Sequence, residues 1–194
     1  MRSPLAFFAL AAWLTACGCP SAPAPTAAHN APPSASPAAP VAPPAPIVIS
    51  VVGTSDLHGN IERGVVLSGY VENLRKVRKH DGGVVLVDAG DMFQGTLAAN
   101  ETEGAAVIRL YNAMGYNAAV VGNHEFDYGP AGPAAIPASP SDDRRGALIA
   151  AAKLARFPVL TANILMKDTG AAVQWPGIAP STMVDVAGIK VGIV

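Results

Sequence analysis

Val120-Val121-Gly122-Asn123-His124-Glu125-Phe126-Asp127-Tyr128-Gly129 starts as an apolar, β-branched run, breaks at a glycine, and then sets an amide, an imidazole and two carboxylates within five residues. A buried strand does not end this way for packing reasons, because each of those side chains needs a partner or water. The pattern predicts a site at the carboxyl end of a strand, where open α/β sheets hold their ligands.

Two further strand ends upstream share the pattern. Ile47 to Gly53 is a mostly β-branched run that breaks into Thr54-Ser55-Asp56-Leu57-His58-Gly59-Asn60. Val84 to Val87 is a second apolar run, leading into Asp88-Ala89-Gly90-Asp91-Met92-Phe93-Gln94-Gly95. Both read as buried strands. Between them Val71, Leu74 and Val77 recur among charged residues, predicting an amphipathic helix closed by Asp81-Gly82-Gly83. A second helix is expected from about Gly104 to Met114, with Val107, Leu110, Tyr111 and Met114 on one face, followed by a third strand at Ala118 to Val121. Strand, helix, strand, helix, strand is α/β architecture with right-handed crossovers. Beyond a Pro-rich loop, the pattern predicts a helix from Arg144 to Arg156 and a strand from Pro158 to Leu160. Strands at Thr182 to Val186 and Ile189 to Val194 would form a hairpin joined at Ala187-Gly188. An apolar final strand with nothing to cover it predicts that the domain is cut short at Val194.

Asp56, His58, Asp91 and Asn123 supply carboxylate, imidazole and amide donors, a set suited to Mn, Zn, Fe or Mg. A lone carboxylate such as Asp91 can bridge two ions about 3.5–4 Å apart. Taken singly, Asp56 could be a turn or helix cap and Asp91 an Asx-turn residue. Their order, each after a βαβ strand, argues for the shared site. Asp88 reads as a strand-end carboxylate satisfied by nearby backbone. His80 reads as an exposed histidine at a helix C-terminus.

Asp56-x-His58, Gly90-Asp91 and Gly122-Asn123-His124-Glu125 resemble the first three motifs of the calcineurin-like metallophosphoesterases. Asp-Leu-His-Gly-Asn, Gly-Asp-Met-Phe-Gln-Gly and Gly-Asn-His-Glu-Phe-Asp-Tyr-Gly are closer still to the bacterial 5′-nucleotidase branch, which includes cyclic-nucleotide phosphodiesterases. Thr161 to Ile164 and Val186 to Ile193 resemble later segments of that branch. The resemblance implies a β-sandwich with flanking helices, of which only the N-terminal βαβαβ portion is expected here. It also implies two divalent metal ions: Asp56 and His58 on the first, Asp91 bridging, Asn123 on the second. His124 would be the catalytic residue over the phosphate, hydrogen-bonded to Asp127. Glu125 would be a supporting residue with no catalytic role. The implied reaction is phosphate-ester hydrolysis by a metal-activated hydroxide, with a 5′-nucleotide as the first choice of substrate. A 2′,3′-cyclic nucleotide, or a non-catalytic surface lipoprotein retaining the fold, is the alternative. The family's later ligands are histidines, and this chain has four histidines with none after His124. Residues 47–194 by themselves are therefore expected to be inactive or nearly so.

Composition bounds the partners. Thirteen basic residues against fourteen acidic, with no Lys or Arg run, exclude a nucleic-acid footprint and a polybasic membrane patch. Oligomeric state is not encoded legibly. Residues 1–17 read as an export signal ending in Leu14-Thr15-Ala16-Cys17, which resembles a bacterial lipobox; the resemblance implies lipidation of Cys17. The other reading is an ordinary signal with a chance cysteine. Gly18 in place of an aspartate favours the outer membrane over the inner. Residues 18–46 are almost wholly Ala, Pro and Ser and read as a disordered tether in which His29 is solvated. Cys19 lies too close to Cys17 for an unstrained disulfide.

Overall fold

The computed structural model describes residues 43–194, so the export signal, Cys17 and nearly all of the tether lie outside the described residues. Five strands form one parallel sheet in the order β1-β2-β3-β4-β5: Val48–Thr54, Gly82–Asp88, Ala118–Val120, Val159–Leu160 and Ile178–Ala179. Strand order follows chain order, so crossovers of one hand place the connecting helices on one face. Those helices are α1 (Ile61–Arg78), α2 (Leu97–Glu101), α3 (Ala105–Met114) and α4 (Gly146–Leu154). Contacts of α1 with α3 and of α3 with α4 make them a single layer. On the opposite face an antiparallel hairpin, β6 (Thr182–Val186) and β7 (Ile189–Ile193), packs on β2, where Val186 covers Gly83. Among the described residues no helix is long and apolar enough to cross a membrane.

The core lies between the sheet and the helical layer. Leu86, Ala119 and Val159 meet Val71, Val107, Ile108, Tyr111, Met114, Leu148 and Phe157 there, all buried. On the even-numbered face of β1, Val52 packs against this core and Ser50 accepts from the Nε of Arg78 in α1. Val51, on the other face, is 67% exposed. The period-2 alternation of a strand therefore survives in β1.

Several sequence expectations shift. The helix from Val71 to Val77 starts much earlier, at Ile61, and Val77 is exposed. Two three-residue steps rotate a side chain about 120° around a helix of 3.6 residues per turn, so Val77 leaves the face that Val71 occupies. Arg75, nearer that face, donates from its guanidinium to the carbonyls of Met114 and Gly115, satisfying the free C-terminal end of α3. Gly82 and Gly83 do not close the helix but begin β2, paired with Val48 and Ile49. A Cβ on Gly82 would overlap the Val48 backbone, which is why the strand starts on glycine. In α3, Ile108 joins Val107, Tyr111 and Met114 on the buried face, and Leu110 packs half-buried against the same core, over Gly64 of α1. Helix α2 was not expected; Thr96 caps it by accepting from the Ala99 N–H at 3.3 Å. Helix α4 and strand β4 lie where the sequence places them, and β5, which was not expected, carries the sheet one strand further. The hairpin lies where the sequence places it, turning through Ala187 and Gly188, both at positive φ (54° and 78°), in the manner of a type I′ turn.

Candidate metal centre

The parallel register brings Thr54 beside Asp88, and Asp88 beside Ala119 in β3. Three adjacent strands therefore open their carboxyl-end loops on one edge. The first two loops continue to pair after the sheet ends. Ala89 donates to the Thr54 carbonyl at 2.8 Å, Asp56 to Gly90 at 3.0 Å, His58 to Asp91 at 3.0 Å and Gly59 to Met92 at 2.8 Å. The residues presented this way adopt uncommon backbone angles: Asp56, His58 and Asp91 have φ of 53°, 48° and 56°. Non-glycine residues occupy the left-handed region only where their surroundings impose it.

The third loop is pressed against the second. A Cβ on Gly122 would overlap the backbone N and the carboxylate of Asp91, and one on Gly90 would overlap the backbone of Gly122. Two glycines facing each other let the loops touch. Glu125 holds them there. Its side chain is 1% exposed. Oε2 accepts from the N–H groups of Gly122 (2.6 Å) and Asp91 (3.0 Å), and Oε1 from those of Met92 (2.8 Å) and Phe93 (3.1 Å). Burial pushes its carboxyl above the ordinary value, while the four donors pull it down. A carboxylate with four N–H donors is acceptor-only and fully satisfied, and we read it as ionised.

The structure places each sequence-derived candidate as follows. Donor atoms of His58, Asp91 and His124 all lie within 4.8 Å of one another. Asp56 Oδ1 is 3.9 Å from His58 Nε2. His58 Nδ1 donates to the Gln94 carbonyl at 3.0 Å, which turns Nε2 toward Asp56. With Nε2 unprotonated, that nitrogen and the carboxylate oxygen are two donors of the kind a cation takes. Two donors of one ion stand at most about 4.2 Å apart, twice a bond of about 2.1 Å, so this pair fits a divalent cation. Asp91 spends Oδ1 on the His124 N–H at 3.0 Å and keeps its other oxygen free. His124 Nδ1 is 2.6 Å from Asp127 Oδ2. His124 and His58 meet edge to face, centroids 4.8 Å apart. Asn123 is exposed at the start of the third loop, directly before His124. Asp88 is satisfied mainly by hydroxyls rather than by backbone, accepting from Thr54 and Tyr111 as well as from Gly90. His80 is exposed just beyond α1.

Sequence reasoning gave Glu125 no specific task and passed over Gln94. For Glu125 a signal was available: two glycine-rich loops crowd N–H groups that no strand can satisfy, and a carboxylate beside them is the natural acceptor.

The family model described as calcineurin-like phosphoesterase matches residues 49–167. The snake venom 5′-nucleotidase of Gloydius brevicauda is 31% identical over 159 residues, covering 75% of this chain and 25% of the relative. The human 5′-nucleotidase is 30% identical over 161 residues, again 75% of this chain and 25% of the relative. Among solved structures, a 5′-nucleotidase precursor from Thermus thermophilus superposes with a TM-score of 0.53 at 29% identity, covering 75% of this chain and 28% of that one. The NAD nucleotidase of Haemophilus influenzae shares the fold, with a TM-score of 0.57 at 22% identity over 75% of this chain and 26% of that one. The chain thus spans about a quarter of the length of these curated relatives.

Two expectations follow from the geometry. Glu125→Gln places an amide N–H₂ against backbone donors and should cost about 2–3 kcal/mol of stability. Urea unfolding measures it, and a change under about 0.5 kcal/mol would remove Glu125 from this role. The hydrogen bond from Asp127 raises the His124 pKa above its ordinary 6.5. Protonation therefore favours the folded form, and this increment is present below about pH 6.5 and lost as pH rises through the raised value. Imidazole NMR titration of the metal-free chain should show the raised pKa, and Asp127→Asn should bring it back toward 6.5. Identical titrations would disprove the pairing.

Proposed function

The chain belongs to the calcineurin-like phosphoesterase family, and from that premise we propose that it hydrolyses phosphate monoesters, with 5′-nucleotides as the substrate class. The observation that carries this reading is the convergence of His58, Asp91 and His124 donors from three strand-end loops, with Asp56 facing His58. Divalent cations bound there would polarise the phosphoryl oxygens and supply a nucleophile at neutral pH. Asp56, His58 and Asp91 would hold them, with Asn123 added at the rim. His124 has a different task. Its pairing with Asp127 favours the imidazolium, and metal ligation needs the neutral ring. It is therefore suited to sit over the phosphate and give a proton to the leaving alkoxide. Asp127 keeps one ring nitrogen occupied, so the other faces the substrate. The 5′-nucleotide assignment draws on the relatives, which are 5′-nucleotidases.

Metal binding should precede turnover. Calorimetric titration with Mn²⁺ should show binding that Asp91→Asn weakens by at least about 10–100-fold. Phosphate release from AMP with Mn²⁺, against 2′,3′-cyclic AMP as competitor substrate, should be lost in the same variant. Equal Mn²⁺ affinity in the variant would sink the assignment.

We also propose export and lipid attachment at Cys17, on the Leu14-Thr15-Ala16-Cys17 sequence alone. Intact mass of the protein from a bacterial membrane fraction should show a chain beginning at Cys17 with acyl groups added. A soluble, unacylated species cleaved elsewhere would refute it.

A further inference from the structure

Beneath the metal centre, between the ends of β1 and β2, lies a polar knot that the proposed reaction does not use. Asp88, 2% exposed, accepts from the Thr54 hydroxyl at 2.5 Å and the Tyr111 hydroxyl at 2.7 Å on Oδ2, and from the Gly90 N–H at 2.9 Å on Oδ1. The Tyr116 hydroxyl is 2.9 Å from the Thr54 oxygen. Thr54 has a single hydroxyl proton and gives it to Asp88, so Tyr116 must be the donor to Thr54. Three hydroxyl protons thus run toward one carboxylate. The Tyr111 and Tyr116 rings stack 3.8 Å apart and Phe157 lies against both.

Packing does not account for this arrangement. Phenylalanines and an aliphatic residue would fill the same space without desolvating a carboxylate, and such replacements are often neutral or stabilising. The bonds have a different consequence. Asp88 and Thr54 are register partners at the last rung of β1 and β2, and the chain beyond each carries the candidate ligands. The tie to Gly90 sets the turn (φ 104°) from which Asp91 emerges at φ 56°. The tie to Thr54 fixes where β1 ends relative to that turn, and so where Asp56 and His58 begin their left-handed course.

We infer that Asp88 is a positioning residue: with Thr54, Tyr111 and Tyr116 it locks the crossing of the two loops that present Asp56, His58 and Asp91. This rests on the metal-site reading above. Left-handed aspartate and histidine residues persist only when over-determined, and a fully satisfied buried network supplies that rigidity.

The test uses the full chain with Asp88→Asn and Tyr111→Phe, the latter keeping the carboxylate and the core volume should the former fail to fold. Hydrogen exchange followed by NMR on the metal-free protein reads the amides of Asp56, His58, Gly59 and Gly90, with Ala151 and Ala152 of α4 as internal references. The expected result is exchange at least about 10-fold faster at the loop amides and unchanged at the references, larger for Asp88→Asn than for Tyr111→Phe. Mn²⁺ affinity should fall about 10–100-fold in parallel. Unchanged loop exchange, a uniform rise across the fold, or loosened loops with wild-type Mn²⁺ affinity would each overturn the inference. If the wild-type chain binds no Mn²⁺ while the loops still loosen selectively, the metal-site reading fails and the locking role of Asp88 stands.

Discussion

The site depends on a problem that its loops create for themselves. Three strands end side by side, and the loops after the second and third touch through facing glycines, Gly90 and Gly122. So close a crossing excludes water from Gly122, Asp91, Met92 and Phe93, whose N–H groups have no strand to join. One buried carboxylate, Glu125, accepts from all four. Leaving even one such donor unmet costs about 1–3 kcal/mol. The same residue that satisfies the loops therefore fixes the distance between Asp91 and His124, whose N–H reaches back to the Asp91 carboxylate.

Around that crossing the candidate site has two tiers. The upper tier consists of side chains whose free atoms face one another: Asp56, His58, Asp91 and His124. The lower tier holds their backbones and consists of Glu125, Asp88, Thr54 and Tyr111, nearly all withdrawn from water. Gln94 and Asp127 act from the flanks, each engaging one nitrogen of a histidine. In the upper tier the Asp56 carboxylate and one Asp91 oxygen keep lone pairs that no hydrogen bond among the described residues occupies, and these are available to a cation. The lower tier is compensated by hydrogen bonds. That division is what a site prepared for cations requires: rigid supports, unsatisfied donors.

Much of this was legible in the residues. β-branched runs ending in polar, glycine-broken loops placed the first three strands within a residue or two, because buried parallel strands tolerate little else. The same breaks marked Asp56, His58, Asp91 and His124. The hairpin was visible because Ala187-Gly188 separates two alternating runs. Other features had no local signature. A two-residue strand, Ile178–Ala179, carries no period and is recruited by the edge of β4. Gly82 and Gly83 look like a helix stop, and only the approach of Val48 and Val186 makes them strand. The left-handed backbone of Asp56, His58 and Asp91 is imposed by inter-loop bonds that no propensity encodes.

The buried carboxylates show why the rest was not legible. Glu125 and Asp88 each sit two or three residues from a candidate ligand, so proximity in sequence suggests a chemical role for both. Burial reverses that inference. Glu125 has both oxygens occupied by backbone donors and Asp88 has its own filled by hydroxyls and one N–H, so neither has a lone pair directed outward without breaking a bond already made. Asp91, in contrast, commits one oxygen and leaves the other, and Asp56 commits neither to a hydrogen bond within 3.5 Å among the described residues. Which aspartate or glutamate at this edge is available to a cation is thus decided by what remains unsatisfied after the fold has taken its share. That quantity is set by tertiary contacts, and it separates Asp56 and Asp91 from Asp88 and Glu125 although all four stand at the same sheet edge.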